Sequence, residues 1–389
     1  MNNVRIETLT PVHIGSGVSY EQNRDYLYFD REGMLAVVSP ERILSVISGG
    51  GQTMPEDISK WVSAIDKRES ILPFLLQRKP GLQAADIARR VLKVQGKAPV
   101  QDKPMREQLH GGNEQPLIPG SSLKGSLRTA LLNRLMKADN GQFVLKAQNL
   151  KNRKGQYDAS AIEEHYFGKD PNHDAMRLLQ VGDVYFDDTI CLQTTVINGV
   201  RDGWAFKPSI SQFVEAIPQG AVSTARLLFN ETALHAAERH AVRKRGREAE
   251  RQPPYKLYGD KKTLVEMLPL EPLFKQTSEH TASLIESEIS YWEGEGNPEP
   301  LGDYIEHLQT LLKTINSATT NECVLRLGWG TGFMNMTGDW QNWYLDKEDY
   351  DDLVDSLRRG QYRDFVYPKT RRLIEGGMPL GYVKLTLQV

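Results

Sequence analysis

Hydrophobic and polar residues alternate over several short stretches of the chain, and this period of two predicts β-strands. VRIETLT at residues 4–10 shows the pattern clearly, and Arg-Glu-Gly at residues 31–33 joins two further stretches as a hairpin. The predicted strands lie at residues 4–10, 25–30, 34–39, 178–188, 190–197, 221–229, 322–327 and 382–389. In the last of these, every second residue from Val383 to Val389 is aliphatic, which predicts a strand packed on helices.

Other segments have the spacing of helices, separated by glycine and proline. Residues 40–94 are expected to be mainly helical, and residues 95–116, rich in glycine and proline, are expected to form a loop. Further helices are predicted at residues 121–138, 231–251, 278–292, 304–317 and 347–360. Each half of the chain thus combines strands, helices and a glycine-rich loop, which indicates two related α+β units.

Composition and charge limit the functions open to the chain. Its 389 residues suggest two domains, and 39% hydrophobic residues are enough for a core. The net charge of −2 gives no general attraction for nucleic acid, so any site for a polyanion must be local. Cys191 and Cys323 are expected to be buried thiols in a reducing compartment. No apolar run has the length of a signal peptide or membrane span, so we expect a cytoplasmic protein without membrane contact.

IPGSSLKGSLRTALLNRLMK, residues 118–137, predicts an amphipathic helix with an anion site at its start. Ser121 or Ser122 is expected to cap the N-terminus. The buried face is predicted from leucines at every fourth position, Leu123, Leu127 and Leu131. Lys124 and Arg128 share a different face, and the free N–H groups at a helix start attract phosphate. A capped surface helix with solvated cations is the alternative.

Two glycine-rich segments follow predicted strands, HIGSG at residues 13–17 and GWGTGF at residues 328–333. Glycine allows a backbone to approach a ligand closely, although each segment alone also fits a bulge or turn. Trp329 and Phe333 have the chemistry to stack on bases, with core packing as the alternative.

His13 has the chemistry of a general base, but the sequence places no partner beside it, so a structural or RNA-contacting role is preferred. Four residues between 165 and 174, His165, Asp170, His173 and Asp174, do not have the spacing of a standard metal site. We expect no catalytic residue, no metal ligand and no cofactor.

Several motifs occur together and in order: LTPVHIGSG, IPGSSLKGSLRTAL, HYFG, RLLQVGDVYF, FVEAIPQGAVS, LGWGTGF and EGGMPLGYVKL. In this combination the chain resembles the RAMP superfamily, the repeat-associated proteins of CRISPR effector complexes. It is most similar to the subunit that caps the backbone filament of the type III-A (Csm) complex at the 3′ end of the crRNA.

The resemblance implies an α+β fold of two ferredoxin-like, RRM-like domains with helical insertions and glycine-rich loops. These are expected at residues 1–190, with an insertion at about 40–94, and 191–389, with an insertion at about 231–318. The resemblance and the basic runs assign RNA contacts to His13, Gly15, Ser16, Gly17, Gly120, Ser121, Ser122, Lys124, Arg128, Arg243, Lys244, Arg245, Gly328, Trp329, Gly330, Thr331, Gly332, Phe333, Lys369, Arg371 and Arg372.

The implied function is non-catalytic crRNA binding and scaffolding, with a contribution to crRNA 3′-end maturation and antiviral defence. The implied partners are crRNA, its duplex with target RNA, a neighbouring RAMP backbone subunit and nucleases of the host. Two alternatives stay open: an endoribonuclease that processes precursor crRNA with His13 as base, and another RAMP subunit, holding the 5′ handle or repeated along the backbone.

Overall fold

The computed structural model describes residues 2–49, 51, 54–100, 103–139, 160–200, 203–237, 261–296, 301–337, 348, 351, 355 and 370–388. Within them the strands are β1 (Asn2–Thr8), β2 (Gly15–Tyr20), β3 (Tyr26–Phe29), β4 (Met34–Val38), β5 (Ala88–Gln95), β6 (Met105–Gln108), β7 (Leu117–Ile118), β8 (Leu179–Val181), β9 (Val184–Tyr185), β10 (Ile190–Val200), β11 (Gly203–Phe206), β12 (Gln212–Ala216), β13 (Val222–Phe229), β14 (Glu322–Arg326), β15 (Thr370–Ile374) and β16 (Tyr382–Leu387). The helices are α1 (Pro40–Ser48), α2 (Pro55–Lys67), α3 (Leu72–Arg78), α4 (Ala84–Ile87), α5 (Gly120–Ala138), α6 (Ser160–Tyr166), α7 (Lys262–Glu266), α8 (Leu270–Gly294), α9 (Gly302–Asn316) and α10 (Phe333–Thr337).

The first sheet has the strand order β14-β16-β1-β13-β8, and its neighbouring strands are antiparallel. Leu123, Leu127 and Leu131 of α5 are fully buried, as the four-residue spacing predicted, in one core with Ile6 of β1 and Leu385 of β16. Along the chain, β1, α5, β8, β13, α8 and β16 follow the order β-α-β-β-α-β, which also occurs in ferredoxin-like folds. Of the apolar face predicted for the last strand, Val383 and Leu385 of β16 are buried and Leu387 is partly buried, while Val389 lies outside the described residues.

The second sheet has the order β2-β6-β12-β10-β5-β4-β3, and β11 and β15 also pair with β10. The long strand β10 is shared: residues 190–194 pair with β12, while residues 194–198 pair with β15. The fold is therefore mixed α+β with two sheets, but two ferredoxin-like domains are not confirmed. Both sheets take strands from either side of residue 190, so the predicted boundary at 190 does not separate them, and the two-domain division stays a prediction.

Two predictions of local structure were wrong. Residues 88–95, expected to be helical, form β5, and residues 105–108, expected to be loop, form β6. Both strands were missed because they place polar side chains in the interior of the second sheet. Arg90 occupies an inward position of β5 with its side chain 8% exposed, and Gln108 of β6 is fully buried, so neither strand shows a clean apolar period.

The remaining predicted helices are partly described. The segments predicted at 278–292 and 304–317 lie in α8 and α9. Residues 238–251 of the charged helix, and the acidic helix at 347–360 apart from residues 348, 351 and 355, lie outside the described residues. Among the helices that the structure describes, none combines the length and apolar character needed to cross a membrane.

Candidate nucleic-acid interface

Three glycine-rich loops that are distant in the sequence meet at one place in the fold. We call them loop A (residues 13–17), loop B (328–333) and loop C (375–381). Trp329 N donates to His13 O at 2.8 Å, which joins loop B to loop A. Gly381 N donates to Pro11 O at 2.9 Å, and Leu327 N donates to Gly381 O at 2.9 Å. Backbone hydrogen bonds therefore join loop B to loop A, and join loop C to the residues just before loops A and B.

Glycine is required at two of these crossings. Gly328 has φ +91°, and a Cβ there would lie 2.7 Å from His13 O. Gly381 has φ +91°, and a Cβ there would lie 2.2 Å from Leu327 O. Both the left-handed conformation and the approach of a neighbouring backbone exclude a side chain. The glycines thus serve first to pack the loops against one another.

The Trp329 ring lies among cationic side chains at this junction. The guanidinium carbon of Arg372 lies 4.5 Å from the ring centroid, and that of Arg106 lies 5.1 Å away. Arg372 Nη1 donates to Thr194 Oγ1 at 3.0 Å. Neither arginine forms an ion pair with any residue that the structure describes. Burial lowers the pKa of Arg372, and the charge of Arg106 lowers it further, so the two cations lie close enough to repel each other.

His13 lies beneath this cluster and is 1% exposed. Its ring meets the Trp329 ring edge-to-face with 5.5 Å between centroids. His13 Nδ1 lies 2.6 Å from Glu215 O. Because a carbonyl oxygen only accepts, Nδ1 carries the proton and donates. Burial lowers the pKa of His13 to about 4, so at neutral pH the ring is uncharged and Nε2 is a hydrogen-bond acceptor.

The start of helix α5 differs from the prediction. Pro119 occupies the N-cap position, and Ser121 and Ser122 lie in the first turn, so neither serine is the cap. Instead, Gly120 N donates to Asp183 Oδ1 at 2.8 Å. The carboxylate thus takes the role predicted for a serine hydroxyl. Position 120 requires glycine, because a Cβ there would lie 2.2 Å from Val181 O. Ser121 is nevertheless exposed and Ser122 partly so.

The two cations of α5 have partners within the chain. Lys124 Nζ donates to Leu179 O at 2.8 Å. Arg128 bonds Glu163 at 2.8 Å and Asp174 at 2.7 Å, and its guanidinium lies 3.7 Å from the centroid of the Phe167 ring. The HYFG motif, which contains Phe167, therefore holds Arg128 in place. RNA contact by Lys124 and Arg128 stays a prediction, but their side chains are not free to move towards a ligand without breaking these bonds.

Helix α5 nevertheless lies beside loop B. Ser126 Oγ donates to Arg326 O at 2.9 Å, immediately before the loop, and Thr129 Oγ1 donates to Met336 O at 3.2 Å, shortly after it. The GSSLKGSLR motif and the GWGTGF motif are thus parts of one surface.

The other predicted RNA contacts fall into three groups. Ser16 of loop A donates to Glu107 Oε2 at 2.7 Å, while Gly15, Gly17 and Gly332 are exposed. Gly330 and Phe333 are partly exposed, and Thr331 is buried, with Oγ1 donating to Gly328 O at 3.1 Å. Arg243, Lys244, Arg245 and Lys369 lie outside the described residues.

Arg371 and Arg372 are adjacent in the sequence but lie in different surroundings. Arg371 bonds Glu288 through Nε at 2.5 Å, and its side chain is 14% exposed. Arg372 points to loop B and Trp329. Successive residues of a strand face opposite sides of the sheet, so only one of the two reaches the loop junction.

The cluster at residues 165–174 serves the fold around Arg128. Asp170 Oδ1 lies 2.7 Å from His173 Nδ1, and Asp174 binds Arg128. In the parts of the chain that the structure describes, no three His, Cys, Asp or Glu side chains are grouped so as to hold a metal ion.

Sequence reasoning missed Arg106 and Asp183. Arg106 was placed in a loop, because the four residues of β6 are too few and too polar to show a period. Asp183 follows a predicted strand, but its contact with Gly120 joins residues 63 positions apart. A pattern of neighbouring residues in the sequence does not predict a contact over this separation.

This protein has a mixed α+β fold in which glycine-rich loops meet around the Trp329 ring, beside two arginines that form no ion pair with the residues that the structure describes. Residues 5–335 match the model of the RAMP superfamily, and the chain belongs to this superfamily. No curated protein matches the sequence at a significant level.

Two solved structures share the fold. One is a chain of the cryo-EM structure of a Csm–crRNA–target RNA ternary complex of a type III-A CRISPR-Cas system, with 21% identity, a TM-score of 0.70 and 100% of both chains covered. The other is the crystal structure of T. onnurineus Csm5, with 20% identity, a TM-score of 0.62, and 97% of this chain and 99% of that chain covered.

Proposed function

We propose that this protein is a non-catalytic, crRNA-binding subunit of a type III-A CRISPR effector complex, and that it caps the backbone at the crRNA 3′ end. Support comes from membership of the RAMP superfamily and from the fold shared over nearly the full length with Csm5 and with a chain of the Csm–crRNA–target RNA complex. In this role it packs against a neighbouring RAMP backbone subunit and contributes to 3′-end maturation, for which nucleases of the host are proposed partners.

The main observation that supports RNA binding is the junction of the three loops. Trp329 offers a partly exposed ring for stacking, and Arg106 and Arg372 lie beside it without a carboxylate partner in the described part of the chain. Two close cations of this kind are stabilised by an anion. A nucleotide supplies a base to stack on Trp329 and a phosphate to bind the two arginines. This is the usual arrangement in single-strand RNA binding.

Binding is favoured over catalysis by the state of His13. A general base works best with a pKa near the working pH, whereas burial lowers the pKa of His13 to about 4. Nε2 is also buried, with no second acid or base bonded to it within the described residues. We therefore expect the purified protein not to cleave repeat RNA, with or without EDTA. Cleavage that is lost in His13→Ala would favour the endoribonuclease alternative instead.

The proposal is tested by the salt dependence of RNA binding. Each cation that neutralises a phosphate of single-stranded RNA contributes roughly 0.7 to the slope of log affinity against log salt. Arg106→Met with Arg372→Met should therefore weaken binding and reduce the slope by about 1.4, nearly equally for all sequences. Lys313→Met is the control, because this exposed lysine lies on α9 and has no contact with the loop junction. An unchanged slope in the double variant would contradict the proposal.

A further inference from the structure

His13 Nε2 is a buried polar atom with no hydrogen-bond partner in the described part of the chain. The bond from Nδ1 to Glu215 O fixes the tautomer, so Nε2 presents only a lone pair. A buried acceptor without a partner is costly, and a ligand that supplies a donor removes this cost. A phosphate oxygen supplies no proton at neutral pH, so phosphate is the wrong partner for this atom.

Gly15 lies beside Nε2, an atom that is itself buried. This residue is exposed, and a Cβ built on it would lie 3.5 Å from Nε2, with no other atom outside its chain neighbours within 4 Å. A side chain here would begin about where a hydrogen-bonded ligand atom must lie. Gly15 does not have a positive φ, so its lack of a side chain is not explained by backbone conformation.

Arg106 adds the complementary group. Its Nε is also buried without a hydrogen-bond partner among the described residues, and unlike His13 Nε2 it is a donor. Arg106 and His13 both contact the Trp329 ring, with the guanidinium carbon of Arg106 5.1 Å and the His13 ring centroid 5.5 Å from its centroid. An acceptor next to a cationic donor matches the ribose–phosphate unit of RNA, in which a 2′-hydroxyl lies beside a phosphate.

We propose that His13 Nε2 accepts a hydrogen bond from a ribose 2′-hydroxyl at the junction of loops A and B, and that this contact distinguishes RNA from DNA. The inference rests on the proposed RNA-binding function and adds to it which chemical group is read. Discrimination by the 2′-hydroxyl is a general route by which proteins tell the two nucleic acids apart.

The test combines variants of the protein with variants of the ligand. Affinities are measured for one single-stranded sequence as RNA, as DNA and as 2′-fluoro RNA, which keeps the RNA sugar pucker but has no 2′ donor. For the wild-type protein, loss of the donor should weaken binding by about tenfold, as for a hydrogen bond to a buried acceptor. His13→Asn keeps a donor near Glu215 O but has no acceptor at the Nε2 position, and should bind the three ligands nearly equally.

Gly15→Ala is the second variant, because it leaves His13 intact and fills the approach to Nε2. It should also lose the preference for RNA, with an unchanged thermal melting temperature. Gly112→Ala is the matched control, since Gly112 has no positive φ and its Cβ would have no neighbour within 4 Å. Its preference should equal that of the wild-type protein.

The outcomes separate the two proposals. If the wild-type protein and both variants prefer RNA by the same factor, the His13 contact is overturned while RNA binding stands. If the wild-type protein binds RNA and DNA equally, the contact is also overturned. If it binds no nucleic acid in isolation or in its complex, the proposed function itself fails.

Discussion

Replacing Glu288 by glutamine tests whether Arg371 belongs to the core of the fold or to the RNA surface. Glu288 Oε1 accepts from Arg371 Nε at 2.5 Å and from Trp292 Nε1 at 2.8 Å, and Oε2 accepts from Arg371 Nη2 at 2.9 Å. Tyr304 OH adds a fourth bond at 3.0 Å. Burial raises the pKa of Glu288, but the charge of Arg371 and these bonds outweigh it and hold the net pKa below its usual value.

The expected cost follows from this burial. The side chains of Glu288 and Arg371 are 19% and 14% exposed, and Trp292 is fully buried. Breaking one partner of a buried ion pair costs roughly 3–5 kcal/mol. Because both side chains keep some exposure, we expect Glu288→Gln to lower the free energy of unfolding by about 3 kcal/mol.

Urea denaturation measures this change, with Glu266→Gln as the control. Glu266 pairs with Lys262 at 3.6 Å, but the two side chains are 64% and 81% exposed, so its loss should cost less than about 0.5 kcal/mol. An equal effect of the two substitutions would refute the reasoning. So would a loss of RNA affinity in folded Glu288→Gln as large as that caused by Arg372→Met.

Two further predictions concern the loop junction. Burial lowers the pKa of His13 from 6.5 to about 4, so the unfolded chain takes up a proton that the folded protein does not. Protonation of the unfolded chain therefore lowers the free energy of unfolding as the pH falls from 6.5 towards 4. At pH 5 the decrease relative to neutral pH is about 2 kcal/mol. Urea denaturation between pH 7.5 and 5 should show this loss. Burial also lowers the pKa of His280 to about 4, so His13→Asn should reduce the total loss at pH 5 by about 2 kcal/mol without abolishing it. Gly381→Ala should lower the free energy of unfolding by more than about 2 kcal/mol, since it combines a positive φ with a clash against Leu327 O. A melting temperature equal to that of Gly112→Ala would contradict this expectation.

Much of the fold could be predicted because most elements have one apolar face. In β1, Val4 and Ile6 are buried and alternate with less buried residues, and the leucines of α5 keep the helical period. Such patterns are local, so one sequence is enough to show them. The pairing of strands that are distant in the chain is not local, so the sequence patterns did not show that both sheets take strands from either side of residue 190.

The strands that were mispredicted surround a buried polar group. Glu215 of β12 is fully buried and accepts hydrogen bonds from Thr189 Oγ1 at 2.8 Å and Gln108 N at 3.2 Å, and it pairs with Arg90 at 3.3 Å. Each of these residues appears polar in the sequence and interrupts the apolar period of its strand. Only the assembled sheet shows that they satisfy one another in the interior.

At the candidate site, the sequence predicted the types of residue but not which side chains meet. The glycines were expected to let the backbone approach a ligand, and the structure shows Gly328 and Gly381 approaching the backbone of neighbouring segments instead. The roles of Arg371 and Arg372 could not be separated, since the two side chains have the same chemistry and differ only in the face of β15 to which they belong. Which cation remains unpaired is a property of the tertiary structure.

The groups at the loop junction also determine how RNA would be read. A ring such as Trp329 stacks on any base, and Arg106 and Arg372 suit phosphates that are the same in every nucleotide. His13 Nε2 suits a hydroxyl that every ribose carries. If the proposed function holds, binding at this junction distinguishes RNA from DNA but not one RNA sequence from another, which suits guides of any sequence.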